Sequence, residues 1–429
     1  MSGRPIGRNV LVVSYYFNGN QIGSVRARGL YKYLPRFGWN PTILTKGSAT
    51  SISSDRLIHS VPDSSLRNLI RWRLIDTACS SESSAADSIG AHQKRDSIGN
   101  ILLRSWDNLF SFPDDCGGWY STALVEANKL LETREYAAII TTSYPVTSHL
   151  VGAKLKKDWE TPWIADFRDL WTQNPYYNLA KPRHVIDTMI EKDRLREADA
   201  LSTVSEPMAD ALRSLHKNKT VVCIPNGFDP EDKVGVTTPD LKFRITYTGS
   251  LYWGRRDPSL LFAAIEQLIR ERKIAASDIV IEFYGRDSRS LIDRGDLGQI
   301  VRLHDEIPRD EAMKAQKSAQ VLLLLTWNDP REVGVYTGKL FEYLAAGRPI
   351  LSIGPPSSVV DKLLRETHAG VHVSDLAGAK EAIMRFYNEF KANGSVRYDA
   401  DESELDRFSQ IRMASRFSEL LDTISASKS

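Results

Sequence analysis

The run Asn9-Val-Leu-Val-Val-Ser-Tyr-Tyr16 is apolar at nearly consecutive positions. A strand covered on both faces, as in a parallel sheet, reads this way. A loop with Gly19 and Gly23 follows, and Ser24 opens a helical pattern with Leu30, Tyr33 and Leu34 on one side. Residues 42–45 predict the second strand, so the chain opens on a strand–helix–strand unit. Residues 46–105 break the pattern. They are rich in Ser, Asp and Arg and predict a mobile insertion, since they can bury little apolar area. Helix and strand then alternate through 121–133, 137–142, 145–157, 162–166, 182–198, 200–204, 207–215 and 220–224. A charged linker is expected at 231–241. A second series runs through 243–249, 258–272, 279–284, 300–303, 309–317, 321–325, 338–346, 349–353 and 358–366, with helices near 377–391 and 402–424. Two successive series predict two doubly wound α/β domains, 1–230 and 241–400, with a C-terminal helix at 401–429. Ligands in such folds sit at the carboxyl ends of the strands. With two facing domains, the crevice between them is the expected site.

Composition removes several alternatives. The chain has 429 residues, 42% hydrophobic, with 56 Lys and Arg against 54 Asp and Glu. That balance excludes wholesale disorder, and a net charge of +2 gives no global attraction to nucleic acid. Cys79, Cys116 and Cys223 are far apart, which offers neither metal-ligand spacing nor a disulfide framework. A reducing cytosol is the expected setting. No secretory leader is legible in the first residues, and no apolar run approaches the length of a membrane span.

The segment Thr337-Gly-Lys-Leu-Phe-Glu-Tyr-Leu-Ala-Ala-Gly347 carries the strongest chemistry. Thr337 is placed to begin a helix, and Gly338 permits close approach at its start. Free N–H groups and the helix dipole there suit a pyrophosphate. Lys339 adds a point charge. Glu342, one turn on, can accept two hydrogen bonds from a ribose diol. A solvated Lys–Glu pair on an ordinary amphipathic helix is the plainer reading. Gly249 ends an apolar strand and leads into Ser250-Leu-Tyr-Trp-Gly-Arg255-Arg256-Asp257, a turn whose arginines suit diphosphate charge or are merely solvated. Asp166 and Asp169 flank Arg168 at the end of another buried strand. They read as acceptor contacts or a general base, or as a structural Asp–Arg pair. His149, after a Tyr-Pro turn, reads as an acceptor-side contact or a helix-face histidine.

Together these segments resemble the retaining glycosyltransferases of the GT-B fold, family 4 type. Tyr15-Tyr-Phe with its glycine loop resembles the family's opening, and Trp163-Ile-Ala-Asp-Phe-Arg-Asp-Leu-Trp171 a motif of one bacterial subgroup. Thr203-Val-Ser-Glu-Pro207 and Ile224-Pro-Asn-Gly-Phe-Asp229 resemble the end of the acceptor domain. Tyr247-Thr-Gly-Ser-Leu251 resembles the start of the donor domain, and 337–351 the donor-site helix. The likeness covers about 9–45, 112–370 and, weakly, the tail. It implies a nucleotide-diphosphate sugar donor and a glycan or lipid-linked acceptor. It also implies retention of configuration, no required metal or cofactor, and a leaving diphosphate that helps deprotonate the acceptor. Lys339, with Arg255 or Arg256, would hold the phosphates. Gly249, Ser250, Gly338 and Glu342 would complete the donor site, and Gly23, Asp169 and His149 would face the acceptor. Catalytic weight would rest on Lys339, Glu342, Arg256 and Asp166. The family usually shows Glu-x7-Glu. The second glutamate matches Glu342, the first falls on Gly334, and Glu332 stands two residues away as a substitute. A GT-B nucleotide-sugar 2-epimerase and a non-catalytic partner subunit are the rival readings.

The implied setting is bacterial polysaccharide or lipid-linked glycan assembly, in the cytoplasm or at the inner face of the plasma membrane. Arg28, Lys32 and Arg36 recur every four residues, and 62–76 sets an apolar stripe beside arginines. Both suit anionic headgroups, or packing on their own domain. Phe408, Ile411, Ala414, Phe417 and Leu420 or Leu421 form a last apolar stripe, expected to cross back onto the N-terminal domain.

Overall fold

Val10 to Val13 have no exposed surface, as a run apolar on both faces of the pleat requires. They lie in β1 (Arg8–Ser14), inside the first of two sheets of this computed structural model. The structure describes residues 8–19, 22–53, 57–64, 112–177, 180–233, 242–252, 254–288, 295–327 and 329–426. The chain divides into two compact units, Met1–Asn226 with Gln410–Ser429, and Gly227–Ser409.

In the first unit, α1 (Ile22–Tyr33) leads to β2 (Trp39–Gly47), β3 (Ser51–Ile52) and β4 (Ile58–Pro62). Then come α2 (Trp119–Thr133), β5 (Ala138–Ser143), α3 (Thr147–Trp159), β6 (Trp163–Phe167), α4 (Lys181–Leu195), β7 (Ala200–Thr203), α5 (Glu206–Leu215) and β8 (Val221–Cys223). The strand order is β3-β4-β2-β1-β5-β6-β7-β8, parallel except for the β3–β4 pair. The order reverses between β1 and β5, whose carboxyl ends are therefore the ligand position of this sheet.

The expected insertion at 46–105 is corrected at its start. β2 runs on to Gly47, and β4 pairs with it from Ile58 to Pro62. Polar composition hid these strands, yet His59, Ser60 and Val61 are buried because β4 packs beside α2. The rest of the insertion and all but three residues of the 62–76 stripe lie outside the described residues.

The second unit contains β9 (Phe243–Thr248), α6 (Ser259–Arg270), β10 (Ile279–Tyr284), β11 (Val301–His304), α7 (Arg309–Ser318), β12 (Val321–Leu325), α8 (Gly338–Ala346), β13 (Ile350–Ile353), α9 (Val359–Thr367), β14 (Gly370–Val373), α10 (Leu376–Asn393) and α11 (Glu402–Asp406). Its sheet is wholly parallel in the order β11-β10-β9-β12-β13-β14, reversing between β9 and β12. Alternate residues of β9 to β12 face α6 and α10 in one core, while Leu322 and Leu324 face α8 in another.

The last stripe is not one helix. The Phe408 carbonyl accepts a hydrogen bond from the Phe228 N–H at 2.9 Å, and α12 (Gln410–Ala426) begins afterwards. Phe408 packs in the second unit, whereas Met413, Ala414, Phe417, Leu420, Leu421 and Ile424 pack in the first.

Candidate functional site

The turn after β9 is shaped by close backbone contacts. Gly249 has φ +132°, a conformation open to glycine, and its N–H donates to the Tyr284 carbonyl at 2.8 Å. A Cβ on Gly285 would meet the Gly249 carbonyl oxygen at 2.2 Å, so both glycines are required for this crossing. Asp287 then fixes the turn. Its carboxylate accepts from Ser250 Oγ at 2.9 Å and from the Leu251 N–H at 2.8 Å.

Lys339 and Glu342 reach the same turn from α8. A Cβ on Gly249 would stand 3.0 Å from Lys339 Cε, so the lysine stem lies across the glycine. Lys339 Nζ pairs with Glu342 Oε2 at 2.9 Å. Gln316 of α7, buried, donates to Thr248 Oγ1 at 2.9 Å and reaches Glu342 Oε2 at 3.4 Å. The Thr248 N–H in turn donates to the Tyr343 hydroxyl at 3.0 Å. Glu342 is thus aimed from two sides.

Arg256 belongs to this group and Arg255 does not. The Arg256 guanidinium is half-buried over the Tyr252 ring, with one nitrogen 3.3 Å from the Ser250 carbonyl and a buried Nε without a partner. Arg255 is exposed and stacks on Trp327 at 4.8 Å. The α8 start adds two further unmet groups. Thr337 Oγ1 is buried without a partner, and the first N–H groups of any helix lack intrahelical acceptors. An incompletely satisfied arginine, a lysine and a helix N-terminus around one glycine turn form an anion cradle. Glu332 is half-buried in the short turn Pro330–Glu332 ahead of α8, and Gly334 is buried beside it in sequence.

In the first unit, Gly23, Arg168 and Asp169 meet at the carboxyl ends of the strands. Arg168 Nε and Nη2 donate to the carbonyls of Ser143 and Tyr144 at 2.7 and 2.5 Å. Its Nη1 stands 2.8 Å from where a Gly23 Cβ would be, so Gly23 admits the guanidinium to the start of α1. Asp169 is exposed there.

Two expected acceptor-side groups lie beneath this surface, which corrects their roles. Asp166 is fully buried, and both its oxygens are committed. Arg26 donates twice at 2.8 Å, Thr142 Oγ1 at 2.9 Å and Ser202 Oγ at 2.8 Å. Burial alone would raise its pKa, but the Arg26 charge and these hydrogen bonds hold it below the usual carboxylate value. A group so held is a poor general base. His149 is also fully buried, 2.7 Å from Thr141 Oγ1 and against the Phe167 ring. Burial brings its pKa down to about 3, so it is a neutral packed imidazole and not a surface contact.

Arg26, Asp287 and Gln316 were not legible as site-building residues. Arg26 sits on the same helix as Arg28 and Lys32 of the basic stripe, but is buried. Arg28 of that stripe donates to the Gly19 carbonyl at 3.1 Å, and Lys32 and Arg36 lie on the Tyr33 ring. These contacts all lie within the first unit, and Lys32 and Arg36 remain exposed. Among the described residues, no group of three or more His, Cys, Asp or Glu is placed to hold a metal ion.

Residues 101–232 match the profile of Glycosyltransferase Family 4. No curated protein sequence matches the chain. Among solved structures, sucrose-phosphate synthase from Thermosynechococcus elongatus is 15% identical with TM-score 0.60, covering 98% of this chain and 100% of that one. HepE of Anabaena, in complex with UDP and glucose, is 12% identical with TM-score 0.57 over 97% and 100%. An α,α-trehalose-phosphate synthase (UDP-forming) from Burkholderia xenovorans is 13% identical with TM-score 0.60 over 97% and 100%. The chain has the GT-B fold of these sugar transferases, and its segment 101–232 is similar to glycosyltransferase family 4.

Proposed function

We propose that the chain transfers a sugar from a nucleotide-diphosphate sugar to a glycan or lipid-linked acceptor, with retention of configuration. The carrying observation is the cradle of Gly249, Arg256, Lys339 and the α8 start, with Glu342 one turn along. It lies at the order reversal of the second sheet, where such folds bind nucleotides. The UDP complex of HepE supports a nucleotide donor. In this reading Lys339 and Arg256 stabilise charge growing on the leaving diphosphate, and Glu342 accepts from the ribose diol. The diphosphate itself takes the acceptor proton, so no protein nucleophile is needed. Positioning and charge stabilisation then supply the catalysis. Glu332 is the candidate for sugar contacts in place of the residue at Gly334, and Asp169 faces the acceptor. Charge neutralisation falls to side chains rather than a divalent ion, so EDTA should leave turnover unchanged.

Thermal stabilisation by a panel of nucleoside diphosphates tests the donor reading, with no response from any of them counting against it. Donor turnover without acceptor would transfer the reading to an epimerase. Glu342→Ala should weaken nucleotide binding by ~1.5–3 kcal/mol, the worth of hydrogen bonds to a charged group, while the melting temperature holds. Normal affinity in that variant would displace the ribose site. Lys339→Met should lower turnover about 10²–10³-fold, as for loss of one donor to a developing anion, with little change in acceptor KM. Unchanged turnover would place the phosphates elsewhere.

A further inference from the structure

Helix α4 carries buried acids and exposed apolar residues. Asp187 and Glu191 are fully buried, while Val185, Ile186 and Met189 are 52%, 52% and 65% exposed. The buried carboxylates are satisfied inside the unit. Asp187 accepts from Arg183 Nε and the Tyr177 hydroxyl, both at 2.6 Å, and Glu191 accepts from the Thr172 N–H at 3.0 Å and its hydroxyl at 2.5 Å. Folding therefore turns two of the helix's acids inward beside Leu195 and leaves three of its apolar residues outward, where an ordinary surface helix carries polar ones. Phe112 is also exposed, with the Arg183 guanidinium 5.2 Å from its ring centre.

The rim of this patch is cationic. Lys181 stands exposed before the apolar residues, and Lys192, Arg194 and Arg196 stand exposed after them. Against these four cations stand the exposed Asp193, 3.8 Å from Arg194, and Glu197, 3.2 Å from Arg196, so the balance stays positive. Apolar side chains between cations, along a helix too polar to span a bilayer, suit the interface of an anionic membrane. Val185, Ile186 and Met189 would enter the acyl boundary, and the lysines would stay at the headgroups.

We infer that the outward face of α4 docks the protein on a membrane surface carrying anionic lipid. The inference is independent of the donor chemistry and gives the first unit a route to an acceptor held in a membrane.

The test is co-sedimentation of the full chain with phosphatidylcholine vesicles, with and without phosphatidylglycerol. The protein should pellet with the anionic vesicles and be released by salt. The combined change Val185→Ser, Ile186→Ser and Met189→Ser should lower the bound fraction's partition coefficient about tenfold or more, since the apolar contribution to interfacial binding scales with buried area. Met189→Leu should retain binding, and Lys181→Ala with Lys192→Ala should weaken the preference for anionic vesicles. All these sites are exposed, so circular dichroism and melting should be unchanged. Absence of pelleting by the unaltered chain, or equal pelleting by the triple-serine variant, overturns the inference. So does sedimentation velocity showing a dimer abolished by the same serines without vesicle binding, which would make a second copy the occupant.

Discussion

Asp166→Ala is expected to cost the first unit about 3–5 kcal/mol, the range for removing one partner of a buried ion pair. The loss arises less from the missing attraction than from what remains. Arg26 is 2% exposed, and without Asp166 its charge keeps only the Pro225 carbonyl at 3.3 Å and Asn226 Oδ1 at 3.1 Å. Thr142 and Ser202 lose their acceptor as well. Asp166→Asn keeps the shape but offers one oxygen where four donors now converge, so it should recover only part of the loss. The pH dependence follows from the depressed carboxyl pKa. The stabilisation is complete above the unfolded value near ~4 and disappears only as pH falls through the lower folded value. Chemical denaturation at pH 7 and below pH 4 measures both effects, and the gap between wild type and Asp166→Ala should narrow in acid. Activity should fall in proportion to the folded fraction. A variant with unchanged melting and abolished turnover would return Asp166 to a catalytic role.

The same residue shows what the sequence could and could not reveal. Trp163-Ile-Ala-Asp-Phe167 announces a buried strand, and an aspartate inside one invites a functional reading. Its true partner is 140 positions away on α1, and no local pattern links the two. Asp287 and Gln316 escaped notice for the same reason, since each is defined by the turn or carboxylate it holds. Gly249, Lys339 and Glu342 could be singled out because a strand end and a helix start are marked locally in the sequence, and the fold brings them together. Arg255 and Arg256 were indistinguishable until the turn placed one under Ser250 and the other on Trp327. Among the strands, β14 escaped because Gly370-Val-His-Val373 is short, half-buried and at the sheet edge. The break before α12 escaped because Phe408 keeps the helical spacing while its carbonyl is committed to Phe228.

Ending the chain before Asp406 should have the larger effect, because it removes a wall of the first core. Met413, Ala414, Phe417, Leu420, Leu421 and Ile424 are all buried against a cluster that includes Ala27, Leu30, Tyr33, Leu34 and Trp39. The fit is close, since a Cβ on Gly29 would meet Met413 Cε at 2.9 Å. Phe417 also lies 4.9 Å from the Arg26 guanidinium, so the helix shields the buried ion pair. Trp39 Nε1 donates to Asp422 Oδ1 at 3.0 Å. Fully burying a large apolar side chain is worth roughly 1.5–3 kcal/mol. Five such side chains together amount to about 10 kcal/mol, comparable with the whole stability of a domain at ~5–15 kcal/mol. The truncated protein should therefore bind a hydrophobic dye, lose cooperative melting of its first unit and lose turnover, although none of Lys339, Glu342 or Arg256 is removed. Phe417→Ala is the graded version, expected to cost about 3–5 kcal/mol while leaving the chain foldable. Phe408→Ala should instead destabilise the second unit, because that side chain packs with Leu340, Leu344 and Leu405. Hydrogen exchange would separate the two, with Phe417→Ala raising exchange in β1 and α1, and Phe408→Ala raising it in α8. A truncated chain with full activity and unchanged melting would show that α12 is dispensable to the first unit.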